Sequence, residues 1–374
     1  MRDNRLAVII MILMICIMIM MMTIVASADL GFSLSARSAA LYIPQTGEFV
    51  YSKNIDERLP MASTTKIMTA LIAIEAAEMT ELVEIPAEAC GIEGSSLYLE
   101  GGDILTVADL LYALLLQSAN DAATALALKV GGDIATFSEM MNERAAVIGL
   151  SDTHFDNPHG LDSSKHYTTA HDLAMLAAEA MKNDSFREIV STYKYSFNVS
   201  DKPRTVVNHN KLLKKYEGVI GVKTGYTKKS GRCLVSCASR DGLELIAVTL
   251  DAPDDWRDHA KLFDLGFDRY VKEDPRCLSD TLFTVPVFGS EKTSVRAEVD
   301  DLESLSLIRL RSEKEYRAIV DIKPYTSSPI KVGDKLGEII YMQGNEEIAR
   351  RNILAIDTAE KNKQKFNLFD LFIQ

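Results

Sequence analysis

The sequence predicts an α+β fold followed by a small all-β unit. Paired short strand-like runs, each around a turn, stand near 39–51 and again near 234–250. Several apolar stretches of helical length lie between them without internal breakers. Near Cys277 the character changes, and short β-like runs separated by turn residues replace the helical pattern. The 374 residues leave room for more than one domain, and 47% hydrophobic with 25% charged residues is a globular composition. A net charge of -12 argues against sequence-independent nucleic-acid binding, where Lys and Arg must neutralise phosphates.

In chain order, Arg2 and Arg5 precede the apolar run Leu6 to Val25, and Ala26-Ser27-Ala28 then fits a small-residue cleavage site. Residues 1–28 therefore read as a secretory signal peptide, which places the chain outside the cytoplasmic membrane. An uncleaved anchor is the other reading of that run. Ala39 to Ile43 and Gly47 to Tyr51 read as two strands around Pro44-Gln45-Thr46. A buried helix is expected from Ser63 to about Ala77, then helices near Val107–Gln117, Asp121–Val130 and Phe137–Ile148. His154 to His166 is loop-like. Thr169 reads as a helix N-cap with Asp172 as its capping-box partner, the helix running to about Met181. Strands Leu234–Ala238 and Leu243–Leu250 pair around Asp241-Gly242, and His259–Tyr270 closes the first unit at about residue 275. From 281 to 356 the β-like runs are Leu282–Val285, Ser294–Val299, Ser306–Leu310, Tyr316–Ile322 and Leu336–Tyr341.

The remaining 357–374 form a tail in which Asn367, Asp370 and Gln374 share a helical face opposite apolar residues. Two readings fit it: an amphipathic segment on a membrane surface, or a tail that docks on its own protein or frays. Cys90, Cys233, Cys237 and Cys277 read as small buried apolar residues. Four strand steps separate Cys233 from Cys237 by roughly 13 Å, too far for one bridge. No C-x-x-C or His pair has metal-ligand spacing, so neither a metal site nor a cofactor is expected.

Three short strings carry the chemistry: Ser63-Thr64-Thr65-Lys66, Ser118-Ala119-Asn120 and Lys223-Thr224-Gly225. A serine hydroxyl needs a base to become a nucleophile. On a helix Ser63 and Lys66 share one face. An apolar setting and a second cation such as Lys223 would lower the lysine's pKa enough for it to act as that base. Alone, Ser-x-x-Lys commonly marks a surface helix start, but Met61, Ile67, Met68, Leu71 and Ile72 make a surface start awkward here. Ser118 and Asn120 lie at a junction between apolar helices. That is a capping position by default, or a site in which Ser118 relays a proton to the leaving amine and Asn120 bonds Lys66 and the substrate amide. Lys223 and Thr224, at the end of a strand, would hold a terminal carboxylate, and Gly225 permits close backbone approach. The Ser63 and Tyr226 N–H groups would form an oxyanion hole, each donor being worth ~3 kcal/mol.

Together these strings match the S-x-x-K, S-x-N and K-T-G set of penicillin-recognising serine enzymes. With Pro60 to Ala70, Asn157-Pro158-His159-Gly160-Leu161-Asp162, His166 to Ala170 and Gly221 to Thr227, the chain resembles the D-alanyl-D-alanine carboxypeptidases of peptidase family S11, the low-molecular-mass penicillin-binding proteins. The resemblance covers nearly everything after the leader. It implies a transpeptidase-like catalytic domain with an antiparallel sheet between helical layers and a C-terminal β-sandwich. It also implies peptidoglycan stem peptides ending in D-Ala as substrate, and β-lactams as covalent inhibitors at Ser63. Members often carry an arginine near the start of the closing helix that helps bind the substrate carboxylate; that place falls near Asp255 here, with Arg257 offset by two. Two other readings of the motifs are a β-lactamase, of which class A adds a Glu that activates the deacylating water, and a catalytically weak wall-binding module, against which the intact motif residues argue.

Overall fold

The structure is a computed structural model and describes residues 33–200 and 202–362. The leader and most of the tail discussed above lie outside the described residues. A five-stranded antiparallel sheet runs Glu48–Lys53, Ser38–Ile43, Leu243–Leu250, Gly231–Arg240, Val219–Thr227 from edge to edge. Its inner strands are buried on both faces, so they read as near-continuous apolar runs. Ile246, Val248 and Leu250 point to one face and join a core with Ile67, Met68, Leu173 and Ala177. On the other face the closing helix Asp255–Arg269 comes close enough that a Cβ on Gly266 would touch Leu41 and Leu245. The sheet therefore lies between helical layers, as the resemblance implies.

The helix Lys66–Ala76 is buried from Lys66 to Ala73 because it is apolar nearly all round. Ser63 precedes it, in a 3₁₀ turn, Ala62–Thr65, whose first residue has the left-handed φ of 47°. The predicted Val107–Gln117 helix is α only over Val107–Tyr112 and widens to a π turn over Ala113–Gln117. Thr106 and Asp109 form a full capping box at its start. Thr169 does cap its helix, through the Asp172 N–H at 3.0 Å. Asp172 does not close the box: its Oδ2 accepts instead from the Asp152 N–H and the Thr153 hydroxyl, both at 2.8 Å. The closing helix starts four residues earlier than expected, at Asp255.

The C-terminal region is a six-stranded sheet in the order Tyr316–Ile322, Lys335–Gln343, Glu346–Ala355, Ser294–Val299, Leu282–Phe288, Thr326–Ser327. It has its own core, including Val285, Ala297, Ile339, Tyr341 and Ile353. The sequence predicts no strand over Glu346–Ala355, because Glu346, Glu347, Arg350 and Arg351 mask its alternation. The Leu307–Leu310 strand pairs elsewhere, with Tyr270–Glu273 directly after the closing helix. There Arg309 bonds Glu273 at 2.5 Å.

Cys233 and Cys237 are buried on one strand, and burial pushes the Cys233 thiol up to about 12. The reading of all four thiols as buried is corrected at Cys277, which is exposed, and at Cys90, which is half-buried. Its place in a 3₁₀ turn between the two regions leaves Cys277 no core to enter. No helix among the described residues is long and apolar enough to cross a membrane, and among them no cluster of three His, Cys, Asp or Glu could hold a metal ion.

Candidate active site

Residues far apart in sequence, from Lys66 to Tyr226, converge on Ser63. Lys66, fully buried, places Nζ 3.0 Å from Ser63 Oγ, 2.7 Å from Asn120 Oδ1 and 2.5 Å from the His159 carbonyl. As a neutral amine, Nζ can donate to Asn120 and His159 and turn its lone pair to the Ser63 hydroxyl. Its pKa lies well below the ordinary lysine value, first because burial penalises the charge and second because Lys223 repels it; Asp121 opposes weakly. Lys223 is buried too, and burial lowers it to about 7. Its Nζ donates to the Thr224 carbonyl at 2.9 Å.

Ser118 sits in the left-handed region at φ 65°, ψ 31°, between the π turn and the helix Asn120–Gly131. Such strain at a non-glycine residue persists only where the surroundings over-determine it. Asn120 is fixed from both ends, since its Nδ2 donates to the Glu93 carbonyl at 2.5 Å. The buried Asp121 carboxylate shapes the adjoining loop. It accepts from Ser96 Oγ at 2.6 Å and from the N–H groups of Leu97 and Leu99 at 3.0 and 3.1 Å. Ser95 of that loop lines the cleft beside Ser63 and Ser118.

The strand Val219–Thr227 is an edge of the sheet and borders the Ser63 turn. Thr224, Gly225 and Tyr226 line the cleft, which encloses about 630 Å³. Gly225 is needed there: a Cβ would stand 3.0 Å from the Ser63 amide nitrogen. An edge strand beside a nucleophile suits an extended peptide added by main-chain pairing. Lys211, Lys214, Lys215 and His209 also line the cleft.

Sequence reasoning brought together Ser63, Lys66, Ser118, Asn120, Lys223, Thr224, Gly225 and Tyr226, and the structure gathers all eight around one cleft. It gave no role to His159, His166 or Arg232. Burial lowers His159 to about 3 and His166 to about 4, so both rings are neutral. His166 Nδ1 accepts from the Asp156 N–H at 3.0 Å, which leaves the proton on Nε2 to donate to Thr65 Oγ1 at 2.7 Å. Thr65 in turn donates to the Ala62 carbonyl, so the loop of 154–166 is tied to the back of the Ser63 turn. Arg257 is exposed and does not line the cleft, whereas Arg232 does.

A family model described as D-alanyl-D-alanine carboxypeptidase, peptidase S11, matches residues 22–254, more than half of the chain. The chain belongs to that family. Among curated S11 relatives, the D-alanyl-D-alanine carboxypeptidase DacF of Bacillus subtilis is 33% identical over 337 residues, covering 87% of this chain and 86% of the relative. The D-alanyl-D-alanine carboxypeptidase DacC of Escherichia coli is 30% identical over 346 residues, covering 88% and 85%. Penicillin binding protein 5 of Haemophilus influenzae superposes with a TM-score of 0.64 at 26% identity, covering 88% of this S11 chain and 99% of that one. The Streptomyces K15 DD-transpeptidase matches at TM-score 0.60 and 34% identity, covering 98% of its own length but only 63% of this chain. The fold and the serine-hydrolase class expected for an S11 member hold here.

Proposed function

We propose that this chain is a serine D-alanyl-D-alanine carboxypeptidase that removes the terminal D-Ala from peptidoglycan stem peptides through an acyl-enzyme on Ser63. The observation that carries the assignment is the lysine amine held between Ser63 Oγ and Asn120 Oδ1 in a fully buried position. Neutral Lys66 takes the Ser63 proton as Oγ attacks the penultimate D-Ala carbonyl carbon. The oxyanion is met by the N–H groups of Ser63 and Tyr226. The C–N bond breaks, and the proton reaches the leaving amine through Ser118. Water then attacks the ester, giving one proton to Lys66, and Ser63 Oγ leaves with a proton. Lys223 and Thr224 bind the terminal carboxylate, and Gly225 keeps the edge strand against the nucleophile. β-Lactams acylate the same oxygen. Residues 1–28 act as the leader, with 29–275 the catalytic unit, 281–356 the β unit, and the enzyme working outside the cytoplasmic membrane.

The test is intact mass after incubation with penicillin, wild type beside Ser63→Ala, together with D-Ala release from a peptide ending in D-Ala-D-Ala. A persistent single adduct on wild type, with D-Ala release lost in Ser63→Ala, is expected. A Ser63→Ala protein that still releases D-Ala at the wild-type rate would sink the assignment. Rapid penicillin turnover without a lasting adduct would favour a β-lactamase.

A further inference from the structure

Arg232 pairs directly with Tyr226 across the two-strand ladder that ends at the cleft. Strand alternation puts both on the face that carries Thr224, about 7 Å further along. Arg232, Thr224 and Tyr226 all line the cleft. The guanidinium is oriented from the closing helix: Nη2 bonds Asp255 Oδ1 at 2.9 Å, and the Trp256 ring centre lies 5.5 Å from its central carbon. Asp255 is almost wholly buried, while 40% of the Arg232 side chain stays open. Its Nε is shielded from solvent and finds no hydrogen-bond partner among the described residues. Asp255 engages Nη2, and the exposed part of the planar fork keeps further N–H donors that fit the two oxygens of a second carboxylate.

We infer that Arg232, positioned by Asp255 and Trp256, binds the free carboxylate of the departing C-terminal residue next to Thr224. The site thus takes its guanidinium from the strand Gly231–Arg240, and position 255, at the start of the closing helix, provides the acid that aims it. The inference rests on reading the chain as a carboxypeptidase. The other role for this pair is purely structural, an ion pair that fastens the closing helix to the sheet.

The experiment compares an N-blocked tripeptide ending in D-Ala-D-Ala with the same tripeptide carrying a C-terminal carboxamide. Full-chain wild type, Arg232→Gln, Arg232→Lys and the exchanged pair Arg232→Asp with Asp255→Arg are assayed for kcat/KM, with a thermal melt of each. Wild type should favour the acid over the amide. In Arg232→Gln that preference should fall by about 10- to 100-fold, the value of one or two charge-assisted hydrogen bonds. Arg232→Lys, which keeps the charge without the fork, should fall between. The exchanged pair should regain part of the preference, because it returns a guanidinium to the same corner. An ion pair that only fastened the helix would lower the melting temperature of Arg232→Gln and slow both peptides equally. An unchanged acid-to-amide ratio in a folded Arg232→Gln therefore overturns the inference and leaves the carboxypeptidase assignment standing. If Arg232→Gln does not fold, the ratio in Arg232→Lys and the exchanged pair decides in the same way. Wild type that cleaves neither peptide overturns both.

Discussion

Gly160→Ala should cripple acylation, and Gly149→Ala should not. Both glycines have left-handed φ, +90° and +89°. An alanine in that region costs about 1–2 kcal/mol at either place. The surroundings differ. Around Gly149, at the end of the helix Ile134–Ile148, nothing lies within 4 Å of a built Cβ. At Gly160 the Cβ overlaps the Ala62 carbonyl and stands 2.9 Å from Thr65 Oγ1, which binds His166 and Ala62. Neither neighbour is a flexible chain end, so the loop must retreat by about 1 Å, and overpacking of this kind adds roughly 1–3 kcal/mol. Gly160→Ala should thus lose about 2–5 kcal/mol in total and Gly149→Ala only the backbone part. The retreating loop carries the His159 carbonyl that holds Lys66 Nζ, and a misplacement of that size costs about 100-fold in rate. The assay is the rate of covalent labelling of Ser63 by a fluorescent penicillin, with a thermal melt of each variant. Wild-type labelling by Gly160→Ala, or equal melting losses in the two variants, would refute the reasoning.

Other expectations concern charge and packing. Penicillin acylation should rise with pH as Lys66 loses its proton, and Lys223→Gln, which removes the repelling charge, should let Lys66 titrate higher and move that limb to higher pH; a limb that stays in place would contradict the coupling. Lys223 is neutral more readily in the fold, about 7 against 10.5 unfolded, so the unfolded chain binds the extra proton and wild-type stability should climb between about pH 7 and 10. Lys223→Met should flatten that climb in chemical denaturation at several pH values, and melt higher at pH 7. Asp121→Ala should cost on the order of 3–5 kcal/mol, because it leaves the Leu97 and Leu99 N–H groups and Ser96 without their acceptor; a melt within a degree of wild type would count against this. A thiol reagent should modify Cys277 quickly and Cys233 and Cys237 only after unfolding, as peptide mapping of a timed reaction can show.

The strings that meet at the cleft were legible because each fixes a local geometry: three residues of a turn put Lys66 beside Ser63, and a small residue lets the edge strand pass the Ser63 amide. The strand pairs and most helices were legible from alternation and apolar runs. What alternation cannot express is which strands meet across a long gap. Ser38–Ile43 pairs with Leu243–Leu250, about two hundred residues away, and the helical layers supply the reason. The π turn before Ser118 was hidden because Ala113 to Gln117 has the composition of an ordinary helix. The turn leads directly into Ser118, whose left-handed backbone no composition signals. Arg232 was missed for a related reason. In sequence it looks like the polar start of an apolar strand, and only the cross-strand register sets it beside Tyr226 and the closing helix.

Lys66 and Lys223 share a water-poor site in which two positive charges resist each other, and with the proposed roles this would couple recognition to activation. An anionic chain end arriving next to Lys223 holds a proton there. The retained charge then opposes protonation of Lys66 and keeps the amine free for the serine. A neutral chain end does the reverse: Lys223 gives up its proton more easily, and Lys66 can take one up. Under the proposed carboxypeptidase role, the protonation state of Lys66 would thus favour free C-termini, and a peptide with a blocked end would turn over more slowly even once bound.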